Sequence, residues 1–267
     1  MTRTAIAAPV IGIAALFATA GPAMAAEGAA VADLKPIAGQ PVEGATGQGM
    51  VEISGTKLSF TLAAKGLLAG DAAPHAAHIH FGADARHECP AAADNNAAAL
   101  DGETNPGDHF TTTEGAPAYG DIVVSLTKSG DTSPASGLAV DRFGTGDDIK
   151  YSRGDVTVTE DVAQAILDGK AVVVVHGVDY DGDGAYSAGD RGVSDLDPKL
   201  PGEATDPAIC GVLTASQMSD MPAGGVSTGG GSTTGIENVG LIGLGALAVA
   251  GGGAAVVVAR RRTSIDS

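Results

Sequence analysis

Ala77-His78-Ile79-His80-Phe81 is the stretch on which the reading of this chain turns. Side chains on a strand alternate between its two faces. His78 and His80 therefore share a face, and Ile79 points the other way, into a core. The same alternation recurs on either side. Val51-Glu52-Ile53 and Leu58-Ser59-Phe60-Thr61-Leu62 flank Ser54-Gly55-Thr56 and read as a hairpin. Ile122 to Leu126 runs into Ser129-Gly130-Asp131, and Val156 to Thr159 is a further strand. Val162 to Leu167 has room for one or two helical turns. Ala171 to Val175 is β-branched and, as a strand, would be buried on both faces. Cys210-Gly211-Val212-Leu213 closes the series. Many short strands joined by Gly/Asp-rich loops predict an all-β domain over residues 31–215, a sandwich or flattened barrel. Two loops, Glu88 to Asp108 and Val178 to Ala208, exceed the ~12–15 residues usual in compact domains. Long loops on a rigid scaffold commonly carry sites.

The ends of the chain have a different character. Residues 1–25 read as a secretory signal peptide: Arg3, an apolar stretch from Ile6 to Ala20, then Ala23-Met24-Ala25. Residues 239–259 carry no charge and approach the ~20 residues that span a bilayer. Arg260, Arg261 and Arg262 follow, within a cytoplasmic basic tail of residues 260–267, and positive residues stay inside. Residues 216–238, rich in Gly, Ser and Thr, read as a flexible tether. This tail is similar to bacterial wall-sorting tails without their Leu-Pro-x-Thr-Gly motif. Val226-Ser227-Thr228-Gly229 is a weak echo that leaves sortase processing open beside a membrane tether. The domain is thus expected at the outer face of the bacterial membrane or wall.

The 267 residues carry a net charge of −17, with 44% hydrophobic residues, 3% aromatic and 40 glycines. That is too apolar for a disordered chain. Without the signal peptide and basic tail, 11 basic residues face 31 acidic ones, a net of −20. No basic cluster remains for nucleic acid. The outside of a cell is oxidising, and an even pair of cysteines there, Cys89 and Cys210, predicts one disulfide.

Six histidines stand at 75, 78, 80, 87, 109 and 176. His109 follows Asn105-Pro106-Gly107-Asp108, and His176 ends the valine strand, well placed to meet the His78/His80 pair. Imidazole suits copper and zinc. No Gly-x-Ser-x-Gly or His-Glu-x-x-His signature points to a hydrolase.

These stretches resemble the Cu/Zn superoxide dismutase family. The matching runs are Gly66-Leu67-Leu68 leading to His75 through His80, Cys89, Gly107-Asp108-His109-Phe110, Gly120-Asp121-Ile122, Val173 through His176, and Ala208 through Leu213. The resemblance implies a Greek-key fold and copper ligands at His78, His80, His109 and His176. It implies a Cys89–Cys210 disulfide and places Asp121 on a zinc-binding carboxylate. Superoxide would be removed by Cu(II)/Cu(I) cycling, with His109 leaving the metal to carry a proton and Asp121 serving as its acceptor. The departures are equally specific. No histidine lies between Phe110 and Gly120, and Ala118 stands where a zinc ligand belongs, so a copper-only site is expected. Pro207 stands at the anion-guiding arginine, for which Arg86 or Arg191 could substitute. His75 and His87 read as loop or surface residues. The chain also resembles the CHRD domain, which shares a His-x-His strand and comparable β architecture. That resemblance implies a surface module that binds copper without catalysis, or binds nothing.

Asp179-Tyr180-Asp181-Gly182-Asp183-Gly184, then five residues, then Asp190 fits a calcium-loop pattern. Asp179, Asp181, Asp183 and Asp190 are the expected ligands, with the Ala185 carbonyl and Ser187 through water.

Overall fold

The computed structural model describes residues 25–70, 73–95, 110–188 and 192–216. Nearly all of the predicted signal peptide and of the tether, together with the span and tail, lies outside them. Among the described residues no helix is long and apolar enough to cross a membrane.

The fold is a single curled antiparallel sheet. Its strands are β1 (Glu27–Pro36), β2 (Thr46–Ser54), β3 (Lys57–Lys65), β5 (Ala77–Phe81), β6 (Asp121–Ser125), β8 (Asp148–Thr157), β9 (Val172–His176), β10 (Pro207–Val212) and β11 (Thr214–Ala215). The short strands β4 (Pro74–His75) and β7 (Gly144–Thr145) pair separately. Across the sheet the order is β6-β5-β9-β10-β1-β2-β3-β8, with β11 beside β1. The hairpin read around Ser54-Gly55-Thr56 is β2–β3, in register from Thr46↔Lys65 to Ser54↔Lys57.

After β3 the chain crosses to the other half of the sheet, where β5 lies beside the edge strand β6. It later returns to β3 as β8. Strand β1 is the corner: it pairs with β2 from Glu27 to Leu34 and with β10 at Lys35 and Pro36. Side chains of the edge strand β8 reach the segment that follows the other edge strand, β6. The Tyr151 hydroxyl donates to the Leu126 carbonyl at 2.8 Å, and Arg153 donates to Thr127 and to the Gly130 carbonyl.

The curl encloses the main core. Leu34, Leu58, Leu62, Ile79, Val173, Val175, Ile166 and Leu213 are at most 1% exposed. Each such aliphatic side chain contributes on the order of 1.5–3 kcal/mol relative to exposure. A second apolar cluster, formed by Ile37, Phe110, Tyr119, Val172, Val174 and Cys210, covers the outer face of the β9–β10 region. As its run of β-branched residues predicted, β9 is buried on both faces.

The helices are α1 (Thr112–Tyr119), α2 (Glu160–Leu167) and the single turn α3 (Gly202–Thr205). α1 starts at a reciprocal cap: Glu114 N–H donates to the Thr111 hydroxyl at 3.3 Å, and Thr111 N–H donates to the Glu114 carboxylate at 2.9 Å. Cys89 and Cys210 are disulfide-bonded with Cα atoms 5.7 Å apart, within the range such bridges need. The bond ties the β5–α1 connection to β10.

Candidate metal centre

Strand register brings the histidines together. β5 and β9 pair as His78↔Val174, Ile79↔Val173 and His80↔Val172. Paired residues share a face, so His78 and His80 lie on the face of Val172 and Val174. His176 has the same parity and joins them, diagonally across from His78. Ile79 and Val173 point into the main core. Far from forming a solvated face, His78, His80 and His176 are 1–2% exposed.

Their ring centroids lie 5.0 Å (His78–His176), 5.6 Å (His78–His80) and 6.1 Å (His80–His176) apart. One nitrogen of each ring is pinned to a main-chain carbonyl. His78 Nε2 donates to Gly137 O at 3.0 Å, His80 Nδ1 to Gly120 O at 2.9 Å, and His176 Nδ1 to Thr205 O at 2.6 Å. A carbonyl only accepts, so these bonds fix each tautomer and leave a lone pair on the other nitrogen. Those nitrogens, His78 Nδ1, His80 Nε2 and His176 Nε2, are buried and have no hydrogen-bond partner. The three residues form a group whose ligand atoms lie within 4.8 Å of one another. Three buried lone pairs converging without a proton between them fit a metal better than any protein partner.

Electrostatics agree. Burial, reinforced by mutual repulsion of the charged forms, holds His78 well below its ordinary value. The same causes lower His80 to about 3, and burial lowers His176 to about 4. All three are neutral at physiological pH. Tyr119 leans over His80 at 4.4 Å, and Phe143 meets His78 edge-on at 5.5 Å, giving the centre an aromatic wall.

The other sequence candidates fall out differently. His109 and Arg191 lie outside the described residues. Asp121 opens β6 and is exposed; it is the carbonyl of its neighbour Gly120 that serves the centre. Arg86 is held by Glu88 at 2.6 Å and Asp94 at 2.5 Å. Pro207 pairs with His176 in the sheet. His75, expected in a loop or at the surface, is fully buried. Its Nδ1 lies 3.0 Å from both the His176 carbonyl and the Tyr186 hydroxyl, because the His75 segment forms a short strand against β7. His87 stacks on Phe81 at 5.5 Å.

In the acidic loop, Asp179 accepts from Gly182 N and Gly184 N, and Asp183 accepts from Ala185 N. Asp179 and Asp181 form a second group of close ligand atoms, and the third member is Glu203 of α3. Asp190 lies outside the described residues. Glu203 is 1% exposed and accepts from Tyr180 N at 2.9 Å and Ser187 N at 2.7 Å. Nothing in the spacing announced it, since it lies 24 residues beyond Asp179.

The model of the CHRD domain matches residues 30–185. No curated protein matches the chain. Among solved structures, a variant of Candida albicans superoxide dismutase 5 aligns with a TM-score of 0.36 at 15% identity, covering 72% of this chain and 92% of that one. The Cu(II) form of the same enzyme gives 0.35 at 15%, covering 71% and 93%. Likeness at this level carries no argument about activity.

Proposed function

The chain belongs to the CHRD domain family; from the geometry of its three-histidine centre we propose that it holds copper and removes superoxide at the outer face of a bacterial cell. The observation behind this reading is the convergence of three unpaired, neutral, buried imidazole nitrogens from β5 and β9. The zinc position of the superoxide dismutase resemblance has lost its histidines, none lying between Phe110 and Gly120 and Ala118 standing where one belongs, while imidazole ligands suit copper. Bound copper would supply one-electron redox between Cu(II) and Cu(I). His78, His80 and His176 hold it, and the Gly137, Gly120 and Thr205 carbonyls orient them. Tyr119 and Phe143 limit water around the rings. His109, one residue before the buried Phe110, is the proposed fourth ligand and proton carrier, and Asp121 its proposed acceptor. The single disulfide supports an oxidising compartment. Secretion by residues 1–25 and tethering by residues 239–259 complete the reading.

Family membership and the net charge of −17 favour a second reading, a copper-binding module that does not turn over, because negative charge repels an anionic substrate. Metal analysis and a superoxide-decay assay on the same purified protein separate the two. About one copper per chain with superoxide decay, both lost in His176→Ala, is the expected result. Stoichiometric copper without decay leaves the module. Neither copper nor decay removes both readings.

The loop at Asp179 and Asp181, closed by Glu203, is proposed in addition as a calcium site, since spaced carboxylates supply the hard oxygens that calcium takes.

A further inference from the structure

The three carbonyls that orient the histidines are not equivalent. Among the described hydrogen bonds, Gly137 O and Gly120 O each receive one side-chain donor, the histidine ring. Thr205 O receives two. His176 Nδ1–H donates to it at 2.6 Å, and the Thr112 hydroxyl donates to it at 2.6 Å. Thr112 is 7% exposed and is the first residue of α1, 93 positions from Thr205. Its placement is over-determined. The Thr111–Glu114 cap fixes the start of α1, and the Tyr119 hydroxyl donates to the Thr112 carbonyl at 2.8 Å. The acceptor is fixed as well, because Thr205 Oγ1 donates to Ser194 Oγ at 2.7 Å and Asp206 N–H donates to Gly202 O at 2.9 Å.

Two donors on one oxygen divide its lone-pair density. The carbonyl that holds a ligating imidazole sets how basic the far nitrogen is. We infer that Thr112 is a positioning residue for the metal centre: by sharing the Thr205 carbonyl it limits the pull on His176 Nδ1–H, and with it the electron density that His176 Nε2 offers a metal. The inference rests on the copper reading of the centre. Without the hydroxyl, the carbonyl serves His176 alone, the ring gains imidazolate character, and Cu(II) is favoured over Cu(I).

The test uses the full chain carrying Thr112→Val, Thr112→Ala or Thr112→Ser. In the metal-free protein, the His176 ring N–H proton resonance reads the hydrogen bond directly. It should move downfield in the Val and Ala variants and return to the original position in the Ser variant. Once loaded with copper, the Val and Ala variants should keep the metal stoichiometry but show a lower midpoint potential, by about tenfold in the Cu(I):Cu(II) ratio at fixed poise, or ~59 mV for a one-electron couple. An unmoved ring proton in both hydroxyl-free variants overturns the inference. So does a moved proton with an unchanged potential. If the unmodified chain takes up no copper, the copper reading fails and the inference toward the metal falls with it. The ring-proton measurement distinguishes that failure from a failure of the hydrogen-bond argument.

Discussion

At the scale of single residues, the centre is a set of bases that the fold keeps unprotonated. His80 and His176 titrate near 3 and 4 in the folded chain, and His78 and His75 are also lowered. An unfolded histidine titrates near ~6.5. As pH falls below that value the unfolded chain takes up protons that the folded chain refuses. The stability these residues contribute is complete above about pH 6.5 and is lost progressively as pH falls toward 4 and then 3, by about 1.4 kcal/mol per pH unit per histidine. Asp206, raised mainly by burial, works in the opposite sense but is one group against four. The denaturant midpoint of the metal-free protein should therefore drop between pH 7.5 and 4.5, and a flat profile would count against neutral buried histidines. The grouping of His78, His80 and His176 was legible in the sequence because a period of two and the end of a valine run suffice to place them together. Its orienting partners were not, because every residue carries a carbonyl and spacing does not show which one is aimed at a ring. Glu203 was hidden for a related reason: its approach to Asp179 depends on where α3 docks.

At the scale of elements, α1 serves two of the three histidines at once. Its first residue reaches the partner of His176, and its last, Tyr119, covers His80, while Gly120 just beyond it supplies the His80 acceptor. Gly120 has φ +90°, and a Cβ there would sit 2.6 Å from Gly82 N and from the Phe81 carbonyl carbon. Gly120→Ala should displace that carbonyl and weaken copper binding by roughly 10–100-fold, measured by competition with a chromophoric chelator; unaltered affinity would show that the carbonyl does not matter. The Thr111-x-x-Glu114 cap and the closing Gly120 were readable helix signals, yet the intervening Pro117 and small residues gave no apolar stripe to draw attention to them. β1 also escaped the reading, since Gly28, Ala29, Ala30 and Ala32 make a weak alternation. The acidic loop offers a second test. Millimolar calcium should raise the melting temperature, because a ligand bound only by the folded state stabilises it. Asp179→Ala with Asp181→Ala should remove the rise. No rise in the unmodified chain would leave an ordinary acidic turn.

At the scale of the whole molecule, the curled sheet supplies a stiff frame, and the disulfide fastens to it the connection that leads from β5 toward α1. The bridge closes a separation of 121 residues, so removing it with Cys89→Ser and Cys210→Ser should cost about 2–5 kcal/mol, read as a lower unfolding midpoint with native circular dichroism retained at low temperature. An unchanged midpoint would mean that the sheet alone fixes this connection. The central claim concerns the metal, and X-ray absorption at the copper edge of the loaded protein tests it most directly. The predicted spectrum shows at least three nitrogen scatterers near ~2.0 Å with the outer-shell pattern of imidazole rings, and it is lost in a chain carrying His78→Ala and His176→Ala. Copper surrounded by oxygen alone, or an imidazole signature that survives those substitutions, would contradict the account.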